Sequence, residues 1–197
     1  MKTKYRCMVT LLLIATTTAA TNADEFNYNY LQITHDKIRL GLNDDTIRGD
    51  GPSIAGSINI ASRFFLTATY NHWDLGRDAL TADADIKRLG VGYHVTFGPN
   101  TDLVFVLSAI RIKLRNNSES RERSGLSDNF WVRHHLSDKF EVGVRLGFVG
   151  SEYGIDAIYS FRKRWAVLLT LESNDVFDTT SLGIRYYFRK TQQAAKH

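Results

Sequence analysis

Three groups of side chains in this sequence are of types that carry chemistry. Arg133-His134-His135-Leu136-Ser137 sets a histidine one residue from a serine, the combination in which an imidazole base activates a hydroxyl nucleophile. His72-Trp73-Asp74 supplies a fragment of a histidine-carboxylate set. Arg88, Glu141, Arg145, Asp156, Glu172 and Arg185 are charges that recur opposite apolar residues in alternating segments, with both signs present for pairing. The first group has a simpler reading, because Ser137-Asp138 favours a turn. Adjacent residues on a strand point to opposite faces, so His134 and His135 cannot chelate one ion. No catalytic, cofactor or metal site is expected. The six charges read best as a buried network in which Arg88, Arg145 and Arg185 pair with Glu141, Asp156 and Glu172, since unpaired charges in a narrow space are costly. The sharper alternative is a narrow or gated ion path.

The elements that must position these groups begin after an export signal. Lys2, Lys4 and Arg6 precede the apolar run Met8 to Ala15, and small residues lead to Thr21-Asn22-Ala23, the order of a secretory signal cleaved after Ala23, with Ala20 as a nearby alternative. The run is too short to span a membrane as a helix. Removing residues 1–23 takes three of the 25 basic residues and none of the 21 acidic ones, so the formal net charge falls from +4 to +1. The remaining Lys and Arg are mixed with acids, unlike the concentrated basic face of a nucleic-acid binder, and nucleic acid is set aside. Cys7 lies in the signal, so the mature chain carries no cysteine for disulfides, thiolate ligands or nucleophiles.

From Phe26 onward the pattern has period two, which assigns alternate residues to opposite faces of a strand. Leu89, Val91, Tyr93, Val95 and Phe97 interleave with Arg88, Gly90, Gly92, His94 and Thr96. Phe140 to Phe148 and Ser181 to Phe188 repeat the alternation. Further strands are predicted over Phe26 to Arg39, Ser53 to Ala61, Phe64 to Trp73, Asp102 to Leu114, Asp128 to Leu136, Tyr153 to Phe161 and Trp165 to Glu172. In Asp102 to Leu114 both faces are apolar, which leaves its outward side open. Short turns fall at Ser62-Arg63, Gly98 to Thr101, Ser137 to Lys139 and Arg162 to Arg164. Longer polar links are expected at Gly41 to Pro52, Asp74 to Ala84 and Arg115 to Ser127, with shorter ones at Gly150-Ser151 and Asn174 to Asp178.

Short turns at one end and long links at the other, strands of nine to eleven residues, and aromatics near strand ends (Trp73, Tyr93, Phe97, Phe140, Phe148, Phe161, Trp165, Tyr186, Phe188) match the signature of a transmembrane barrel. The fold class expected is all-β: an antiparallel transmembrane β-barrel of about ten strands, with eight as the alternative.

The mature chain resembles the small outer-membrane barrels of the OmpX and OmpA type. The most specific part is Thr179 to Phe188, in which Leu182, Ile184, Tyr186 and Phe188 look like the aromatic-terminated signal read by the barrel-assembly machinery. Here Arg189 to His197 follow that aromatic, as a short periplasmic tail. Tyr28-Asn29-Tyr30, Arg88 to Tyr93 and Gly98 to Leu103 also resemble the xanthomonad-type barrel family linked with quorum sensing. The resemblance implies a domain over 24–188 in the bacterial outer membrane, with membrane lipid and lipopolysaccharide around it and periplasmic chaperones and the assembly machinery as partners in biogenesis. The function expected is a non-enzymatic structural or surface-interaction role. The alternatives are a small gated pore and a lipid-modifying outer-membrane enzyme.

Overall fold

The computed structural model describes residues 26–42, 45–77, 80–116, 118–149 and 151–188. The expected signal peptide 1–23 and tail 189–197 lie outside the described residues. Ten strands follow in chain order: β1 (Tyr30–Leu42), β2 (Asp45–Asn59), β3 (Phe64–Arg77), β4 (Leu80–Thr96), β5 (Thr101–Asn116), β6 (Ser120–Ser137), β7 (Phe140–Gly147), β8 (Glu152–Arg162), β9 (Trp165–Ser173) and β10 (Phe177–Tyr187). Each pairs antiparallel with its successor, and β1 pairs with β10, so the sheet closes into a barrel of ten strands rather than eight. Closure leaves no unpaired edge.

The short turns occupy one end, called here the near end, at 60–63, 97–100, 138–139 and 163–164. The opposite, far end corrects the expected long links. β2 already begins at Asp45, β3 runs to Arg77, β4 starts at Leu80, and only residues 117–119 separate β5 from β6. Most of Gly41 to Pro52, Asp74 to Ala84 and Arg115 to Ser127 is therefore strand. As a result β1 to β6 are 13 to 18 residues long, while β7 to β10 are 8 to 11. One side of the barrel is a tall wall and the other a short one.

The register shows why the tall strands were hard to read. Cα partners share a face, so the row Tyr93, Phe105, Phe130, Leu146, Tyr153 lies on one side of the sheet. These positions, with Leu89, Val91, Leu107, Leu182 and Ile184, form an exposed apolar belt around the barrel. A belt this continuous is stable only against hydrocarbon. Beyond it the strands continue, and the two faces exchange character. On β4 the outward residues change from Tyr93, Val91 and Leu89 to Lys87, Asp85 and Asp83, while the inward ones change from Gly92, Gly90 and Arg88 to Ile86 and Ala84. On β5 outward Phe105, Leu107 and Ala109 give way to Arg111, Lys113 and Arg115, and inward Ser108 gives way to Ile110 and Ile112. The exchange explains why Asp102 to Leu114 is apolar on both faces: Val104 and Val106 point inward in the belt, and the inward face is apolar again above it.

A second correction concerns the start of the chain. The predicted strand from Phe26 begins only at Tyr30, and residues 26–29 cross the bore instead. Tyr28 stacks on Phe65 of β3 and His94 of β4, with ring centroids 4.5 and 4.4 Å apart, and Phe26 stacks on His135 of β6. These partners lie on β3, β4 and β6 rather than on the strands that β1 pairs with. The segment thus plugs the near mouth. Trp73, expected in an aromatic girdle, points inward and is buried in the far cluster. The near-end girdle is formed by outward pairs such as Phe64 with Tyr93 and Trp165 with Tyr186.

Candidate functional site

The bore has three levels, each set by the inward residues of the strands around it. At the near mouth Arg133 of β6 is buried and donates two hydrogen bonds to Glu141 of β7, at 2.7 and 3.0 Å. Its guanidinium also lies over the rings of Tyr28 (4.8 Å), Phe26 (4.9 Å) and Trp131 (5.5 Å). A desolvated cation over an aromatic face is worth about 2 kcal/mol. The Tyr28 hydroxyl donates to Asp102 at 2.6 Å, and the same carboxylate oxygen lies 3.1 Å from His94 Nδ1. The plug is therefore seated by charge, hydrogen bonds and stacking together.

At mid-height Arg145 of β7 bridges Asp156 of β8 (3.0 Å) and Glu172 of β9 (3.2 Å), and Thr170 donates to Asp156. Arg88 faces the same space, with Glu172 as its Coulombic partner. Arg185 of β10 donates to Gln32 Oε1 and stacks on Tyr30, 4.1 Å from the ring centroid. All six charges singled out in the sequence thus lie in the bore. Their pairing differs from the expected one: Glu141 belongs to Arg133, and Arg185 meets an amide and a ring. Opposite them the buried Asp36 of β1 accepts hydrogen bonds from Thr34 (2.9 Å), Ser53, Asn71 (3.3 Å) and Trp73 Nε1 (3.0 Å). Four neutral donors replace the hydration of this carboxylate.

Glycines make room for the aromatics. A Cβ on Gly92 would enter the Phe65 ring, and one on Gly143 would stand 2.5 Å from Trp131 Nε1. Their appearance on the polar face of β4 and β7 reflects this close approach.

Above mid-height the bore is apolar. Ile38, Trp73, Ala84 and Ile86 form a buried cluster, and Leu40, Leu75, Ile110, Ile112 and Phe177 pack against it. This cluster fills the space between the tall strands, whose outward side carries charge.

His135 and Ser137, the histidine and serine one residue apart, are engaged separately, since the His135 ring stacks on Phe26 inside the bore with centroids 4.1 Å apart. His134 Nδ1 meets Thr101 Oγ1 at 2.9 Å on the outer face, while Ser137 Oγ accepts the backbone amides of Lys139 (3.4 Å) and Phe140 (3.2 Å) across the near turn. His72 finds the carboxylate that its own segment lacked in register: its Nδ1 lies 2.9 Å from Asp85 Oδ1 of β4, and its Nε2 is 3.6 Å from Asp74. Tyr70 and Arg115 also donate to Asp85, at 2.8 and 2.6 Å. This cluster stands on the outer face of the tall wall. The hydrogen bond from His72 holds the Asp85 carboxyl below its ordinary value, helped by Tyr70 and Arg115 and opposed by partial burial. Among the described residues no group of three or more His, Cys, Asp or Glu is placed to hold a metal ion.

A closed antiparallel barrel with an apolar outer belt, a polar middle bore and a plugged near mouth defines the class: a ten-stranded barrel of the membrane-spanning type. No protein-family model matches the sequence, and no curated protein matches it. Solved structures similar to it include Ail, the attachment invasion locus protein of Yersinia pestis, with a TM-score of 0.44 and 12% identity over 83% of this chain and 100% of that one. Neisserial surface protein A is similar with a TM-score of 0.49 and 10% identity, covering 81% of this chain and 96% of that one. The outer membrane protein OprG from Pseudomonas aeruginosa gives 0.47 and 8%, over 86% and 100%.

Proposed function

We propose that this chain is a non-conducting bacterial outer-membrane barrel, delivered through a cleaved signal peptide, that serves the envelope through its exposed wall as a structural or surface-interaction protein. The observation that carries this reading is the exchange of polarity along the tall strands. The belt suits hydrocarbon outside and polar groups inside, while the extension suits water outside and an apolar core inside, as in a soluble β-sheet. The near end is then periplasmic, and the tall wall stands above the outer leaflet. The surrounding lipid and lipopolysaccharide are the partners of the belt and its rim. Leu182, Ile184, Tyr186 and Phe188 serve as the signal for the assembly machinery, and periplasmic chaperones carry the chain to it. No catalysis is assigned, since His135 stacks on Phe26 in the bore and Ser137 accepts a backbone amide in the near turn.

A second reading, a gated pore, draws on the charged middle bore around Arg145, Asp156 and Glu172. It requires both the plug at Tyr28 and the cluster at Trp73 to part. The test is to isolate outer membranes, compare boiled with unboiled samples on a denaturing gel, and record single-channel currents in planar bilayers. A heat-modifiable band without current steps is expected. Current steps would move the assignment to the pore, and a soluble periplasmic protein of unchanged mobility would overturn the membrane reading.

A further inference from the structure

We infer that the near end carries a site for an anionic phospholipid of the periplasmic leaflet, at the turn between β8 and β9, a proposal that rests on the outer-membrane reading above. The apolar belt is not smooth there. Leu31 and Ile33 of β1, Ile184 and Tyr186 of β10 and Trp165 of β9 line an outward groove of about 270 Å³ across the seam of the barrel. Trp165, Tyr186 and Leu31 are successive Cα partners, and Ile184 and Ile33 pair one row further from the near end. The Trp165 and Tyr186 rings, with centroids 4.8 Å apart, form the near-end wall of the groove. A void between these side chains would forfeit their contacts, and in a bilayer the material at hand to fill it is an acyl chain.

The charge at the mouth of the groove selects the lipid. Arg162, Lys163 and Arg164 follow one another at the turn, and all three are exposed. Arg164 Nη1 donates to the Tyr186 hydroxyl at 3.3 Å, which holds one guanidinium against the wall of the groove. The register shift between Ser160 and Arg162 makes Arg162 the direct partner of Trp165, whereas in an unbroken strand it would share the inward parity of Ile158 and Ser160. A bulge re-aims a side chain in this way. Among the described residues no carboxylate forms an ion pair with Arg162, Lys163 or Arg164. Two acids of the near end, Asp102 and Glu141, are buried in the bore and engaged by Tyr28 and Arg133. Asp138 is exposed in the neighbouring turn with Lys139, so the two turns together set four cations against one acid. The remaining near turns show the contrast: Arg63 donates to the Tyr93 hydroxyl at 3.4 Å but is the single charge of its turn, and the turn at 97–100 has none. An anionic headgroup supplies the missing counter-charge, because its phosphate accepts bidentate hydrogen bonds from guanidinium while its acyl chain lies in the groove.

Trp165 reports on its own site, since the other two tryptophans, Trp73 and Trp131, face the bore. The mature chain is reconstituted in vesicles of brominated phosphatidylcholine mixed with plain phosphatidylglycerol or with plain phosphatidylcholine, and bromine quenching of Trp165 gives the relative affinity for the two plain lipids. The wild type is expected to prefer phosphatidylglycerol about fivefold, the effect of one cation at a membrane surface. R162Q/K163Q/R164Q should abolish the preference, R162K/R164K should keep most of it, and R63Q should leave it unchanged. The heat-modifiable band of every variant establishes that it is folded. Molar salt should weaken the preference of the wild type, and a preference that salt does not move overturns charge as its basis. Equal affinity for both lipids in inserted wild type, or an unchanged preference in the folded triple variant, overturns the site while leaving the barrel in place. A loss in R63Q equal to that of the triple variant overturns its placement at this turn. Complete displacement of phosphatidylglycerol by millimolar glycerol 3-phosphate overturns the lipid as the occupant. Failure of the wild type to enter the vesicles overturns the membrane reading and the site together.

Discussion

Below the level of Leu89 and Ala109 the barrel is apolar outside, and its interior sets buried polar groups such as Arg133, Glu141 and Asp156 among small apolar clusters at Val104 and Leu168; above it the same strands are polar outside and apolar inside. The short wall of β7 to β10 hardly extends beyond this level. The tall wall of β1 to β6 crosses it by several residues. One strand can thus be written for two solvents, provided that its period stays at two while the identity of the apolar face switches. The belt is held by what surrounds it, whereas the extension holds itself by its own cluster around Trp73.

Four substitutions test this division between belt and extension. Trp73→Ala removes the largest member of the upper cluster and a donor to Asp36, and is expected to cost about 3–5 kcal/mol. Limited proteolysis should then cut the tall wall while the gel shift of the belt survives; loss of both together would show that the two regions fold as one unit. Leu107→Arg puts a charge in the belt and should cost about 2–4 kcal/mol in urea unfolding from lipid vesicles. Its mirror, Lys113→Leu, sits on the same outward face of β5 above the belt and should change stability by less than about 0.5 kcal/mol. Similar costs for the pair would contradict the exchange of faces. Gly143→Ala, in the bore beside Trp131, is expected to cost about 1–3 kcal/mol by overpacking, measured as a lowered urea midpoint.

The smallest effect is that of pH on the outer cluster. Because the Asp85 carboxyl is held below its ordinary value of 3.8, its contribution is fully present above that value and is lost as pH falls through the lowered one. The stability lost in Asp85→Asn relative to wild type should stay constant between neutral pH and pH 5 and shrink only in stronger acid.

The alternation in Leu89 to Phe97 and Phe140 to Phe148 made the belt legible, and with it the strand count and the near turns. The tall wall was not legible as strand, because Gly41, Gly49, Gly51 and Pro52 are turn formers by type, and Asp83, Asp85 and Lys87 look like loop residues on a face that had just been apolar. Gly49 and Gly51 sit within β2 because the backbone carbonyls of Asp74 and His72 approach them too closely for a side chain. The signal that would have revealed the exchange was the two-faced apolar run Asp102 to Leu114. In the bore, the parity of Glu141 and Arg145 opposite Val142 and Val144 is that of inward residues. Arg133 escaped notice beside His134 and His135, although it shares parity with Trp131 and reaches Glu141 diagonally across the β6–β7 pair. Tyr28 and Asp36 were hidden in one long predicted strand, since the point at which a chain leaves a sheet to enter a bore has no local marker.

The plug also bears on the order of assembly. Neighbouring strands are otherwise joined in sequence, and only the seam between β1 and β10 joins residues as distant as Gln32 and Arg185, 153 positions apart. Closing so long a loop costs entropy before any contact of the seam forms. Tyr28 stands two residues ahead of β1, and its seat on Asp102 belongs to strands in the middle of the chain. Docking of the N-terminal segment onto β3 to β6 would bring β1 into the half-built barrel before β10 arrives, and so shorten the search that the last strand must make.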